Sequence, residues 1–250
     1  MEANKARSVP KPLSRYSALL AEAIRHRHDN ILEVLLSEGI PVTASAVKVA
    51  AEGKSTRALS VLIGHGWEIN KPLSASEPPM LSIVLDDEAL VSWLLERGAN
   101  PNATSDTGES PLSVAVKHAP KSTILLLLPY CDNLEAGYIL HCAVQRQPPD
   151  AQLIRQLAAA GAPIDQILWQ DPQSFVLRGQ FTRGTPLYMA CKANKIEVAE
   201  TLLQLGADPD KKSMKHNICA GPSPRDIVCV NDNTDMVKLF SSATCKQRHN

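Results

Sequence analysis

Residues Gly184 to Asp210 read GTPLYMACKANKIEVAETLLQLGADPD, and this stretch decides how the rest of the chain divides. Thr185 and Pro186 open a first helix: threonine offers a capping oxygen, and proline at an early helical position loses nothing by lacking an N–H. Leu187, Ala190 and Cys191 form a small apolar face at helical spacing. Asn194 and Lys195 break that helix, and Val198, Ala199, Leu202 and Leu203 supply the stripe of a second, which Gly206 ends. Helices this short, each with one apolar face, cannot bury those faces alone and need neighbours of the same kind.

The stretch resembles the ankyrin repeat, whose signature is a Thr-Pro-Leu-His-like start, a paired leucine near the end and a Gly-Ala-Asp close. Weaker copies surround it. The first runs from about Tyr16 to Pro41, with Leu19, Leu20, Ala23 and Ile24 on one helix and Ile31, Leu32, Leu35 and Leu36 on the next. A second begins at Ser45 and closes at Gly66, too soon after the first to leave room for the usual finger-like loop. A third, about Pro78 to Asn100, is one residue short in its first helix. The fourth starts at Gly108-Glu109-Ser110-Pro111-Leu112 and reaches Cys131 without a closing glycine. The fifth carries Ile139-Leu140-His141-Cys142-Ala143 and ends at Gly161-Ala162, with Pro148-Pro149 lengthening its inner loop. Ser223 to Phe240 form a polar, degenerate last unit, with Arg225 where leucine is expected, and read as a cap. The resemblance implies an all-α solenoid of helix-turn-helix units, about seven repeats with degenerate ends. The expected organisation is a flexible segment over 1–14, the repeat domain over 15–242 and a tail over 243–250.

Composition agrees with such an array. The chain has 250 residues, 44% hydrophobic and 21% charged, enough apolar content for a sizeable core. Its formal net charge is zero, so no global basic excess points to nucleic acid or an anionic membrane, and a nucleic-acid partner is not expected. Eighteen prolines suit a chain that turns every dozen residues. The six cysteines show no C-x-x-C pair, and Cys142 and Cys191 fall where a small apolar residue is expected, which favours reduced thiols over a disulfide framework. No apolar run approaches a membrane span, and no secretory leader is evident. The expectation is a monomeric cytoplasmic or nuclear protein.

Two insertions depart from the repeat, at about 162–184 and 211–222. The first holds Trp169, Phe175, Val176, Leu177 and Phe181, and alternation around Gly179 suggests an extended hairpin. These aromatics either fold back on the neighbouring repeats or form an apolar anchor for a partner. The second insertion carries Lys211, Lys212, Lys215 and His216 and reads as a solvated loop.

No catalytic constellation stands out. His26, His28 and His65 lack a ligand quartet with metal spacing, no phosphate-cradling glycine loop or nucleophile elbow is present, and Asp86-Asp87-Glu88 has no second element of a site. No cofactor, metal or catalytic residue is expected. His141 stands at the recurrent histidine of the family, which implies a hydrogen-bonded structural role. In ankyrin-like stacks the partner meets the concave face, so the resemblance places Arg25, His26, Glu52, Asp86, Lys117, His118, Gln145, Arg146 and Lys192 there. From the fourth copy onward these are basic or neutral, which suits an acidic protein surface; solvated helix ends are the other reading. The function expected is a non-catalytic adaptor or scaffold binding a protein through this face and the Trp169, Phe175 and Phe181 insertion. The alternative is an enzyme or small-molecule binder with the insertion as a lid.

Overall fold

Most of the chain's helices are seven to nine residues long, well below the length at which an isolated helix persists in water, so their stability comes from packing. The computed structural model describes residues 13–169, 183–214, 221–230 and 233–247. Consecutive helices pair as antiparallel hairpins: α1 (Leu13–Arg25) with α2 (Asp29–Ser37), α3 (Ala44–Glu52) with α4 (Thr56–Gly64), α6 (Pro111–His118) with α7 (Lys121–Leu127), and α8 (Ile139–Gln145) with α9 (Ala151–Ala159). The stretch read first gives α10 (Pro186–Lys192) and α11 (Ile196–Gln204), followed by α12 (Pro224–Val230) and α13 (Thr234–Gln247). In the third unit α5 (Glu88–Leu95) is preceded by a single 3-10 turn, Met80–Ser82, rather than by a shortened α-helix. Pro78 and Pro79 hold the preceding backbone extended, so only one turn fits before the Asp86-Asp87 loop.

The first helices form one unbroken layer, α1 on α3, α3 and α6 on the 3-10 turn, then α6, α8, α10 and α12 in order. The second helices lie behind them, with α2 on α4, α5 on α7, and α11 against both α9 and α13. Val47, Leu59, Leu94, Leu112, Ile124, Leu153, Leu187 and Leu202 are fully or almost fully buried, one apolar seam running the length of the stack. Among the described residues there is no strand; the one backbone bridge joins Arg183 to Met214, so the two insertions meet beside α10.

Local signals set the ends of the helices. The Thr43, Ser55, Asp87, Asp150 and Thr185 side chains each accept the backbone N–H three residues on. Ser110 and Ser113 form a reciprocal capping box. At Gly206, φ is +93°, and the N–H groups of Gly206 and Ala207 close onto the carbonyls of Leu203 and Leu202. Where the fourth unit lacks that glycine, α7 instead runs into a 3-10 turn at Leu128–Tyr130.

Several expectations need correction. Leu19 and Ile31 do not line the core but are about half exposed, because nothing among the described residues covers the outer side of the first unit; Val237 at the other end is likewise exposed. The last helix continues to Gln247, past the boundary expected at 242. The segment 1–12, the hairpin around Phe175 to Phe181 and the loop 215–220 lie outside the described residues.

Candidate partner-binding surface

Where each first helix turns into its second, the chain exposes a short polar loop, and because the units stack in register these loops form a row. Arg25, His26 and Arg27, then Glu52 and Lys54, Asp86, His118, Gln145 and Lys192 are all exposed along it. Arg25 pairs with Glu22 of its own helix, and His26 lies 3.4 Å from the same carboxylate and stacks on His28. A groove of about 360 Å³ opens between the first two loops, lined by Ile24, Arg25, Arg27, Val49, Glu52 and Ser55. Lys54 reaches across to Asp86 at 2.8 Å, and that hydrogen bond holds the Asp86 carboxyl below its usual range.

Further along, the cations have internal duties. Lys117 is half-buried and donates to Glu109 at 3.1 Å. Arg146 turns its guanidinium back onto the preceding unit, donating to the carbonyls of Val116 at 3.0 Å and Ala119 at 2.9 Å. These are the free carbonyls at the end of α6, where a cation also opposes the negative end of the helix dipole. Lys195 does the same for α8, reaching the carbonyls of Val144 at 2.6 Å and Arg146 at 3.3 Å. Sequence reading missed Lys195, although a lysine just after an inner loop is the signal for such a cap. Replacing Arg146 by Met should therefore cost about 1 to 3 kcal/mol in urea denaturation, and Lys should restore little because one ammonium cannot serve both carbonyls in the fixed geometry of a guanidinium. A change below a few tenths of a kcal/mol would assign the residue to the surface alone.

Of the aromatic anchor, only Trp169 is described. It is partly buried with φ of +53°, and its carbonyl accepts the Arg183 guanidinium at 2.7 Å. Phe175 and Phe181 lie outside the described residues.

Between units, side chains lock one repeat to the next. His141 is buried, and its Nε2 donates to the carbonyl of Gly184 at 3.0 Å, across 43 residues of chain. The carbonyl only accepts, so the proton sits on Nε2 and Nδ1 is left buried without a partner. On the loop side, Asn70 donates to the carbonyl of Gly98 and accepts from the N–H of Asn100, and Asp165 accepts from the N–H of Asp208.

The buried groups are chemically quiet. Burial pushes the Cys142 and Cys191 thiols up to about 12, so neither supplies a thiolate near neutrality. Burial lowers His141 to about 4, which leaves it neutral and unfit to exchange protons near pH 7. Among the described residues no cluster of His, Cys, Asp and Glu has the geometry to hold a metal, and no helix is long and apolar enough to cross a membrane.

The fold and the row of inner loops define a class: a solenoid of stacked helical hairpins presenting a polar concave edge. The chain is an ankyrin-repeat protein. The sequence model of the ankyrin repeat matches residues 184–214, the stretch containing α10 and α11. Among curated relatives, the ankyrin repeat and KH domain-containing protein mask-1 of Caenorhabditis elegans is 26% identical over 83% of this chain and 9% of its own length. The ankyrin repeat protein nuc-2 of Neurospora crassa is 29% identical over 76% of this chain and 18% of its own. The chain thus spans only a small part of these relatives. Among solved structures, the ankyrin repeat domain of human ASB11 superposes with a TM-score of 0.59 at 21% identity, covering 88% of this chain and 96% of that one. The ankyrin repeat domain of Bcl-3 does so with 0.59 at 18% identity, over 79% and 85%. Ankyrin-repeat proteins generally mediate protein–protein interaction, and the fold is typically non-catalytic.

Proposed function

We propose that this chain is a non-catalytic recognition module, an adaptor or scaffold that holds one protein partner along its concave face across repeats four to six. The observation that carries this reading is the row of exposed inner-loop side chains set in register on a continuously packed stack, a preformed surface that needs no ordering on binding. Arg146 and Lys195 are satisfied by carbonyls rather than carboxylates, and Lys192 is exposed beside them, so the positive charge of this segment is retained. An acidic stretch of the partner fits it, and the module would work as a monomer in the cytoplasm or nucleus.

The test is capture from native extract by wild type and by a His118→Glu, Gln145→Glu, Lys192→Glu variant with unchanged helical circular dichroism. Arg146 and Lys117 are left intact because they hold the stack. The expected result is a protein retained by wild type, released as salt rises and lost from the variant. Equal retention by both, or no retained protein, overturns the reading.

A further inference from the structure

The loops on the side away from the inner row differ from it in charge. Three successive connections between units, residues 98–110, 131–138 and 160–168, contain no lysine or arginine, yet hold Asp106, Glu109, Asp132, Glu135 and Asp165. Only Glu109 among them forms an ion pair within the described residues, with Lys117. Asp165 is half-buried, and burial pushes its carboxyl up despite the Asp208 N–H it accepts.

These connections enclose a cavity of about 400 Å³. Asp106 stands on one wall and Glu135 on the other, both exposed, with Asn133, Gln166 and Tyr138 completing the polar lining, and none of the lining residues is a cation. The walls are braced. Asn133 accepts the N–H of Glu135 at 2.7 Å, and Gln166 donates to the Glu135 carbonyl at 2.8 Å, tying one loop to the next. Ser105 is buried, its N–H donates to the carbonyl of Glu109, and its hydroxyl is shared with Thr107. A braced polar cavity with carboxylates on facing loops and an aromatic residue in its lining has the chemistry that takes up a cation, and the space is in the range of small binding pockets.

We propose that the cavity between loops 104–108 and 133–138 receives an arginine side chain of a partner peptide, its guanidinium held between the carboxylates of Asp106 and Glu135. Arginine fits better than lysine because the acceptors lie on two walls, and a planar group with five donors reaches both where a compact ammonium meets one. This rests on the recognition reading and adds to it: the partner offers acid to the inner loops and a guanidinium to the outer ones.

The test uses the whole chain, isotope-labelled, titrated with the peptide acetyl-Gly-Arg-Gly-amide and followed by amide NMR. Shifts should concentrate at residues 104–108, 133–138 and Gln166 and should weaken with salt. The citrulline peptide, isosteric but uncharged, should bind at least about tenfold more weakly, as should an Asp106→Asn, Glu135→Gln variant. An Ala136→Phe variant, which fills the cavity and keeps both carboxylates, should lose the shifts as well. Equal response to citrulline, shifts located elsewhere, no response at all, or the same shifts from calcium chloride alone would overturn the proposal. The capture variant changes none of these loops. A captured partner without peptide shifts therefore sinks the cavity alone, and peptide shifts without a captured partner sink only the concave-face reading.

Discussion

Lowering the pH from 6.5 to 5 should remove about 2 kcal/mol of stability through His141 alone, and carrying it on to 4 about 3 kcal/mol in all. The ring is buried between units and its folded pKa lies at about 4, chiefly because burial penalises the charged form; the bond to the Gly184 carbonyl opposes this. In the unfolded chain the ring protonates near its ordinary value of 6.5. Between these limits the unfolded state holds the extra proton, so acid favours unfolding; above 6.5 both states are neutral and the contribution is complete. The upper part of the window precedes the protonation of most carboxylates, which isolates the histidine. Urea denaturation at pH 7, 6 and 5 measures the effect. A His141→Gln variant places an amide N–H near the position of Nε2 without a titrating group, so its stability should change little over the same range. A wild-type curve as flat as that of the variant would show that the ring is not held neutral between the units.

Gly184→Ala should cost about 3 kcal/mol or more, although the added group is one methyl. A Cβ at that position would lie 2.2 Å from Cδ1 and 2.3 Å from Cγ of Tyr188, a side chain that is itself buried and has nowhere to move. The carbonyl of the same residue accepts both the His141 ring and the N–H of Leu168, so a backbone shift that relieves the clash weakens two bonds between units. The damage should centre on α8, α10 and their neighbours, because a stack of this kind transmits stability between adjacent units. Gly64→Ala is the control: nothing lies within 4 Å of its Cβ, and a helix end gains from alanine, so it should be neutral or stabilising by up to about 1 kcal/mol. If both substitutions behave alike, Gly184 is not the point of contact between the units.

The two results bear on one structural fact. Much of the polar chemistry that looks available for binding is spent on holding the stack together. Arg146 and Lys195 close helix ends in the unit before their own, and His141 reaches the unit after it. What remains for a partner is the exposed remainder of the row, His118, Gln145 and Lys192, and the acid-lined cavity on the opposite loops.

The sequence by itself determined the helical hairpins, their boundaries at Thr185, Ser110 and Gly206, the burial of Cys142 and Cys191, and the ankyrin-repeat class. These rest on short-range physics: a cap needs its acceptor three residues away, a left-handed turn needs a glycine, and an apolar stripe needs a period of 3.6 residues. Tertiary structure decided what each polar side chain does. Arg146 and Lys192 occupy nearly equivalent positions in successive units, yet one is drawn onto the carbonyls of Val116 and Ala119 and the other stays in solvent. Leu19 and Leu20 are adjacent and equally apolar, and only one has a neighbouring unit to cover it. The cavity at Asp106 and Glu135 joins loops that are nearly thirty residues apart in the chain. Such partners are set by how the units stack, and a residue's own neighbours in sequence carry no record of what the next unit brings against it.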